Sequence, residues 1–288
     1  MSEVLLRASS VTRRFGDFTA VSDVSMAVGP GEVVGLLGAN GAGKTTLMRM
    51  LLGLIETSAG SVEILGGPPS RERRRRIGYV PQNLGLYLDL TATENMRFVA
   101  DAYGTPMPML PPDLARYAST LVGDMPLGAQ RTLSFVVALS HAPEVLLLDE
   151  PTSGVDALSR AALWDTIREQ ASDGTGVLVT THYMQEAQQC DRLLLMSDGL
   201  LVGEGSEADI VGSTSAGAVR TDDWAAVFGA LNAAGVPVTL DGRDVRVADV
   251  DLDEVRRTLA AAGLPATVEP VPATIEERML VLARGRAG

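Results

Sequence analysis

The chain opens with short apolar segments, VTRRF and FTAVSDVSMAV, followed by EVVGLLG after the Gly-Pro-Gly of residues 29–31. Segments of this kind bounded by turn residues predict strands. From Lys44 the spacing changes, because Leu47, Met50, Leu51 and Leu54 recur on one helical face. SVEIL at 61–65 and RIGYV at 76–80 read as strands again, and residues 91–122 predict mainly helix interrupted by PMPMLPP at 106–112. From residue 132 helices and strands alternate: TLSFVVALS is a buried helix and EVLLLD an unbroken apolar strand. An amphipathic helix over 157–171 and the strand GVLVTTH follow. Strands without polar alternation suit a parallel sheet covered on both faces.

The tail has a different pattern. GSTSAG at 212–217 reads as a linker, dividing the chain into domains 1–211 and 212–288. AVRT predicts a strand, and Trp224, Val227, Phe228 and Leu231 form a helical face closed by Gly235. VPVTL and VRVA alternate around Asp241-Gly242, a hairpin signal. A helix over 251–262 and the strand ATVEPV complete a β-α-β-β-α-β order, that of a small ferredoxin-like α+β domain. TIEERMLVLAR predicts a final helix.

Composition narrows the classes. At 288 residues and 46% apolar content there is material for a large core plus a small one. No run of eighteen apolar residues occurs, and MSEVLLRASS lacks the basic-then-apolar grammar of a leader, so a cytoplasmic protein is expected. The single Cys190 fits a reducing compartment. A net charge of −12 argues against nucleic acid as a partner, and RERRRR at 71–76 reads as a solvated basic run. The chain holds one lysine, Lys44, which points to a task arginine cannot perform there.

That lysine lies in GANGAGKTT, residues 38–46, which satisfies G-x-x-x-x-G-K-[ST] between a predicted strand and a predicted helix. Gly38, Asn40, Gly41, Ala42 and Gly43 let successive backbone N–H groups converge on phosphate oxygens at a helix N-terminus. Lys44 then reaches the β- and γ-phosphates, Thr45 offers a hydroxyl to Mg²⁺, and Thr46 continues the cradle. Asp149 ends the strand VLLLD, at the edge where α/β sheets place ligands. It is expected to hold Mg²⁺ through water, and Glu150 to polarise the attacking water. A nucleoside triphosphate and Mg²⁺ are therefore expected.

Together GANGAGKTT, YVPQ at 79–82, VLLLDEPTSGVD at 145–156 and TTH at 180–182 resemble the ATPase subunits of ABC transporters, over about residues 4–211. THYMQEAQQCDRLLLMSDG and the C-terminal extension ending in PATIEE resemble the exporter group that includes antibiotic-resistance and multidrug pumps. The resemblance implies a P-loop NTPase fold: a RecA-like parallel sheet with an antiparallel β subdomain and a short helical subdomain. It implies that Phe15 stacks on adenine, although alone Phe15 reads equally as a strand-end core residue. By the same likeness Gln82 reaches Mg²⁺ and the water, His182 contacts the γ-phosphate, and Asp156 communicates across a dimer while also suiting a helix N-cap.

One departure stands out. The family closes each ATP with a signature loop from a second subunit, commonly Leu-Ser-Gly-Gly. Counting back from HAPEVLLLDE puts this loop on Met125-Pro126-Leu127-Gly128. Pro126 replaces a serine, losing a hydroxyl and an N–H, and Leu127 replaces a glycine. Gly128 and the amides after it remain. Two readings stay open: a subgroup variant that still hydrolyses ATP, or a signature-degenerate subunit that binds ATP beside a competent ATPase. The first is favoured, because Glu150, Gln82 and His182 are all retained. The resemblance implies an ATPase subunit that drives efflux through a separate polytopic membrane permease, peripheral on the inner face of the membrane. A second ATPase subunit would complete a homo- or heterodimer.

Overall fold

The computed structural model describes residues 4–181 and 183–284. The chain divides into two units, Met1–Val202 and Gly203–Gly288. The first unit begins with two long strands, β1 (Leu6–Phe15) and β2 (Phe18–Val28). β3 (Val33–Leu37) is buried at every position, and α1 (Lys44–Leu51) starts directly after the glycine loop. β4 (Ala59–Ile64) pairs antiparallel with β1, giving a sheet ordered β2-β1-β4. The arginine run forms one exposed turn, α2 (Arg71–Arg74), ahead of β5 (Ile77–Val80).

α3 (Ala92–Tyr103) opens with a capping box between Thr91 and Glu94 and stops at Gly104, whose φ of 70° only glycine adopts without strain. The helix expected over 91–122 is therefore confined to its first part. The four prolines of PMPMLPP remove amide donors, and only short 3₁₀ turns follow, at Ala115–Tyr117 and Val122–Asp124.

α4 (Leu127–Leu139) starts earlier than the periodicity suggested, because Pro126 sits at the N-cap with extended backbone. β6 (Val145–Asp149), α5 (Ala157–Ser172), β7 (Gly176–Thr181), β8 (Arg192–Ser197) and β9 (Leu200–Gly205) follow. Among the described residues these strands and β3 and β5 form a sheet ordered β5-β6-β7-β3-β8-β9. Pairing is parallel from β5 through β6, β7 and β3 to β8.

Alternate residues of the central strands serve different cores. Val34, Leu36, Val145 and Leu147 pack with α1 and the antiparallel sheet. Val33, Leu146, Leu148 and Val179 pack instead with Phe135 of α4 and Leu163, Trp164 and Ile167 of α5. This explains the absence of polar alternation: no face of these strands meets water. Each such aliphatic side chain contributes roughly 1.5–3 kcal/mol by burial. A smaller cluster of Met96, Leu114, Val122, Met125 and Leu133 builds the helical subdomain and anchors Met125, just before Pro126.

The second unit contains the short α6 (Glu207–Val211), then β10 (Ala216–Arg220), α7 (Trp224–Ala233), β11 (Val238–Asp241), β12 (Asp244–Ala248), α8 (Leu252–Ala261) and β13 (Thr267–Val271). The sheet order is β11-β12-β10-β13 with antiparallel pairing throughout, and the element order is β-α-β-β-α-β. Val219, Val227, Leu231, Val245, Val247 and Val255 form its core. α9 (Ile275–Arg284) is fixed to β12 by a buried ion pair between Arg246 and Glu277.

Candidate nucleotide site

Gly43 caps α1 with φ 100°, and a Cβ there would lie 2.5 Å from the Ala20 carbonyl oxygen. No other residue fits so close to β2, so the turn from β3 into α1 depends on this glycine. The turn delivers Lys44 inward. Its Nζ donates to the carbonyls of Gly38 at 2.7 Å and Ala39 at 3.2 Å. Burial pushes the Lys44 ammonium below its ordinary pKa, while Glu150 and Asp149 pull it back up. The cation is thus held within the loop by carbonyls that phosphate oxygens can replace.

Beside it the ends of β6 and β7 meet the start of α1. Thr180 donates its hydroxyl to Asp149 Oδ1 at 2.7 Å, and Thr45 Oγ1 lies 3.4 Å from the same oxygen. Glu150 follows Asp149 with φ 48°, a left-handed conformation that costs on the order of 1–3 kcal/mol in a non-glycine residue. Its N–H is tied to Thr180, to the hydroxyl at 2.9 Å and the carbonyl at 3.2 Å. That tether turns the Glu150 side chain back toward the pocket, where Gln82 Nε2 donates to Oε2 at 3.1 Å.

The resulting pocket has a volume of about 430 Å³ and is lined by Asn40, Gly41, Ala42, Gly43, Lys44, Thr45 and Thr46 on one side and Gln82 and Glu150 on the other. Phe18 and Ala20 complete the lining, whereas Phe15 is not part of it. Phe15 pairs with Phe18 across the β1–β2 turn, and the Arg13 guanidinium lies 4.5 Å over its ring. Phe18 is 65% exposed and carries no such cover. His182 lies outside the described residues.

A hard, oxygen-seeking cation fits the donor set. The Thr45 hydroxyl, the Asp149 carboxylate and the Gln82 amide are all oxygen donors, and Mg²⁺ needs few protein ligands because phosphate and water supply the rest. Among the described residues no group of three or more His, Cys, Asp or Glu side chains is placed to hold a metal ion. The arrangement can thus bind a nucleotide triphosphate and place a carboxylate against water beside its terminal phosphate.

The MPLG segment lies apart from this pocket, at the N-terminus of α4. Pro126 and Leu127 are exposed, and no side chain caps the helix. The amides of Leu127, Gly128 and Ala129 have no intrahelical acceptor by helix geometry. A Cβ on Gly128 would lie 2.9 Å from Ser159 Oγ, so this helix start abuts that of α5. There Asp156 caps α5, accepting from the N–H groups of Leu158 and Ser159, each at 3.0 Å, and from the Ser159 hydroxyl. These hydrogen bonds, the Ser159 N–H foremost, hold its carboxyl below the usual range.

Sequence reasoning passed over Phe18, Ala20 and Thr180. Thr180 was visible as the first of two threonines in GVLVTTH, where a polar pair ends an apolar strand. Phe18 was visible as a second aromatic across a Gly-Asp turn, but only strand register shows which ring faces the pocket.

Comparison with known proteins gives a consistent result. The family described as "ABC transporter" matches residues 21–153. The chain is 38% identical over 220 residues to "Probable multidrug ABC transporter ATP-binding protein YbhF" of Escherichia coli K12, covering 72% of this chain and 38% of that protein. It is 39% identical over 226 residues to "Nod factor export ATP-binding protein I" of Burkholderia thailandensis, covering 74% of each. The chain therefore spans well under half the length of the first of these relatives. Among solved structures, "Structure of ATP binding subunit of ABC transporter" aligns with a TM-score of 0.67 at 30% identity, over 72% of this chain and 92% of that one. A dimeric cassette, MJ0796 bound to ADP and Pi, shares the fold with a TM-score of 0.60 at 23% identity, over 70% and 98%. The expected P-loop ATPase fold class is borne out by these likenesses.

Proposed function

Since this chain belongs to the ABC transporter ATP-binding family, we propose that it hydrolyses ATP to drive export through a separate membrane-spanning permease. The observation that carries the reading is the single hydrogen-bonded constellation of Thr45, Asp149, Thr180, Glu150 and Gln82, of which Thr45, Glu150 and Gln82 line the pocket. Exporter-type names among the relatives support the direction of transport. No helix among the described residues is long and apolar enough to cross a membrane; the place proposed for the chain is peripheral, on the inner membrane face.

In this reading Lys44 exchanges the carbonyls of Gly38 and Ala39 for β- and γ-phosphate oxygens, and the amides of 41–46 take the remaining charge. Phe18, or Phe15 beside it, stacks on the base. Thr45, Asp149 and Gln82 would hold Mg²⁺, which when bound would neutralise phosphate charge. Glu150, fixed by Thr180 and Gln82, orients the attacking water and accepts its proton, with His182 aiding at the γ-phosphate. A second ATPase subunit offers the amides of Leu127, Gly128 and Ala129 to the γ-phosphate, with Asp156 at the same contact. In this reading residues 1–211 carry all of this chemistry and 212–288 form an accessory domain, although the compact units divide nine residues earlier, at Val202 and Gly203.

Pro126 and Leu127 favour the second reading, a weakly or non-hydrolysing ATP-gated subunit that pairs with a competent ATPase. The two separate on steady-state ATPase activity with the permease partner. Glu150→Gln is expected to lower turnover by about 10²–10⁴-fold while ATP binding persists. Equal rates for the two proteins select the non-hydrolysing reading.

A further inference from the structure

The loop after Glu150 is held by a carboxylate that the nucleotide chemistry does not use. Glu186 lies in a 3₁₀ turn, Met184–Gln189, and is buried. Its two oxygens serve different segments. Thr152 donates its hydroxyl to Oε1 and Thr181 donates to Oε2, both at 2.6 Å. Thr152 belongs to the loop that carries Glu150; Thr181 ends β7 and immediately precedes residue 182. Both threonines are buried. From α5 the Arg160 Nε lies 3.6 Å from Oε1, an ion pair longer than a hydrogen bond, and the Arg160 guanidinium stacks 4.7 Å over the Tyr183 ring.

We infer that Glu186 is a positioning residue that locks the Glu150 loop to the end of β7, so that Glu150 keeps one spacing from the γ-phosphate. This rests on the hydrolytic reading of the site. Three features of the molecule carry it. The loop is a chain of tight turns, with Ser153 N–H donating to the Glu150 carbonyl and Val155 N–H to the Thr152 carbonyl. Thr152 lies within both turns, so fixing its side chain limits the whole loop, including the strained Glu150. The adjacent threonines of β7 divide the work by strand alternation, Thr180 holding Asp149 and Glu150 and Thr181 holding Glu186. The same loop is also gripped from α4, where buried Arg131 donates Nη2 to the Ser153 carbonyl at 3.4 Å. A carboxylate bound by two hydroxyls forms charge-assisted bonds that a neutral amide cannot reproduce on both oxygens. An ion pair that served folding alone would stabilise the unit without setting this spacing.

The test compares the full-length chain with Glu186→Gln and Thr152→Val. Amide hydrogen exchange, binding of the fluorescent analogue TNP-ATP, and ATP turnover are measured on each. Exchange across 150–156 and 178–186 is expected to rise about 10-fold or more, with 38–46 unchanged. TNP-ATP affinity stays within about 2-fold and turnover falls by about 10–100-fold. The double variant loses little beyond Glu186→Gln, because both changes break one network. Thr152→Val leaves the Thr181 half intact and carries the test if Glu186→Gln folds poorly. Unchanged exchange over 150–156 overturns the inference, as does exchange that rises throughout the first unit. If the unsubstituted chain turns over no ATP, the hydrolytic reading fails, and the exchange comparison still decides the role of Glu186.

Discussion

Around the glycine loop, polar groups of residues 38–45, Gln82, Asp149, Glu150 and Thr180 bond one another within a single chain, and the backbone is locked by close contacts such as Gly43 against Ala20. At the start of α4, by contrast, Pro126 and Leu127 are exposed and the helix amides lack a side-chain cap. The first region has its geometry already made before any ligand arrives, which is what electrostatic catalysis requires. In the proposed dimer the second is half of a contact, where the phosphate held by a second subunit would give its amides acceptors. On that proposal, losing a serine matters less here than the same loss would in the first region, because the surviving donors are backbone groups set by helix geometry.

The sharpest way to break that contrast is Gly128→Asp. The new side chain would meet Ser159 Oγ and bring a carboxylate to the Asp156 end of α5 and to the amides proposed for the phosphate. Turnover is expected to fall by about 10²-fold, as for removal of one oxyanion donor, with TNP-ATP binding to the isolated chain unchanged. Loss of binding as well would mean that the two regions are not separable.

A smaller effect distinguishes the aromatic residues within the first region. Phe18→Ala is expected to raise KM for ATP several-fold, about 1 kcal/mol of lost stacking, and Phe15→Ala less, because Arg13 already covers that ring. Steady-state kinetics on both variants checks the order.

Pro126→Ser is expected to have the smallest effect. Restoring a hydroxyl and an N–H at the α4 N-cap should raise turnover about 2–5-fold, since Ser also caps the helix better. A rise of several hundredfold would show instead that the natural signature is disabled.

What could be read from the residues alone follows the same division. The glycine loop and the LLLDE strand end were legible because their chemistry is contiguous: Lys44, Thr45, Asp149 and Glu150 are placed by immediate neighbours. The β-α-β-β-α-β order of the tail was legible from Gly235, Asp241-Gly242 and Gly263, which mark turns locally. The roles of Thr180 and Glu186 were not legible, since each depends on a partner far along the chain, 31 residues away for Thr180 and Asp149 and 34 for Glu186 and Thr152, and the role of Phe18 depends on strand register. The helix predicted over 91–122 failed for another reason. Its apolar residues, Leu114 and Val122 among them, fill a small core from irregular backbone, so they mimic helical content without helical hydrogen bonds.

The composite nature of the site is tested most directly by mixing two inactive chains. Lys44→Ala removes the phosphate cradle's cation and Gly128→Asp blocks the trans contact, so each dimer of one kind has no complete site. Mixed in equal amounts, half of the dimers are hybrids with one intact site each, which predicts recovery of about one quarter of the unsubstituted ATPase rate. No recovery, with hybrid dimers present, would contradict a nucleotide site shared between the glycine loop of one subunit and the MPLG segment of the other.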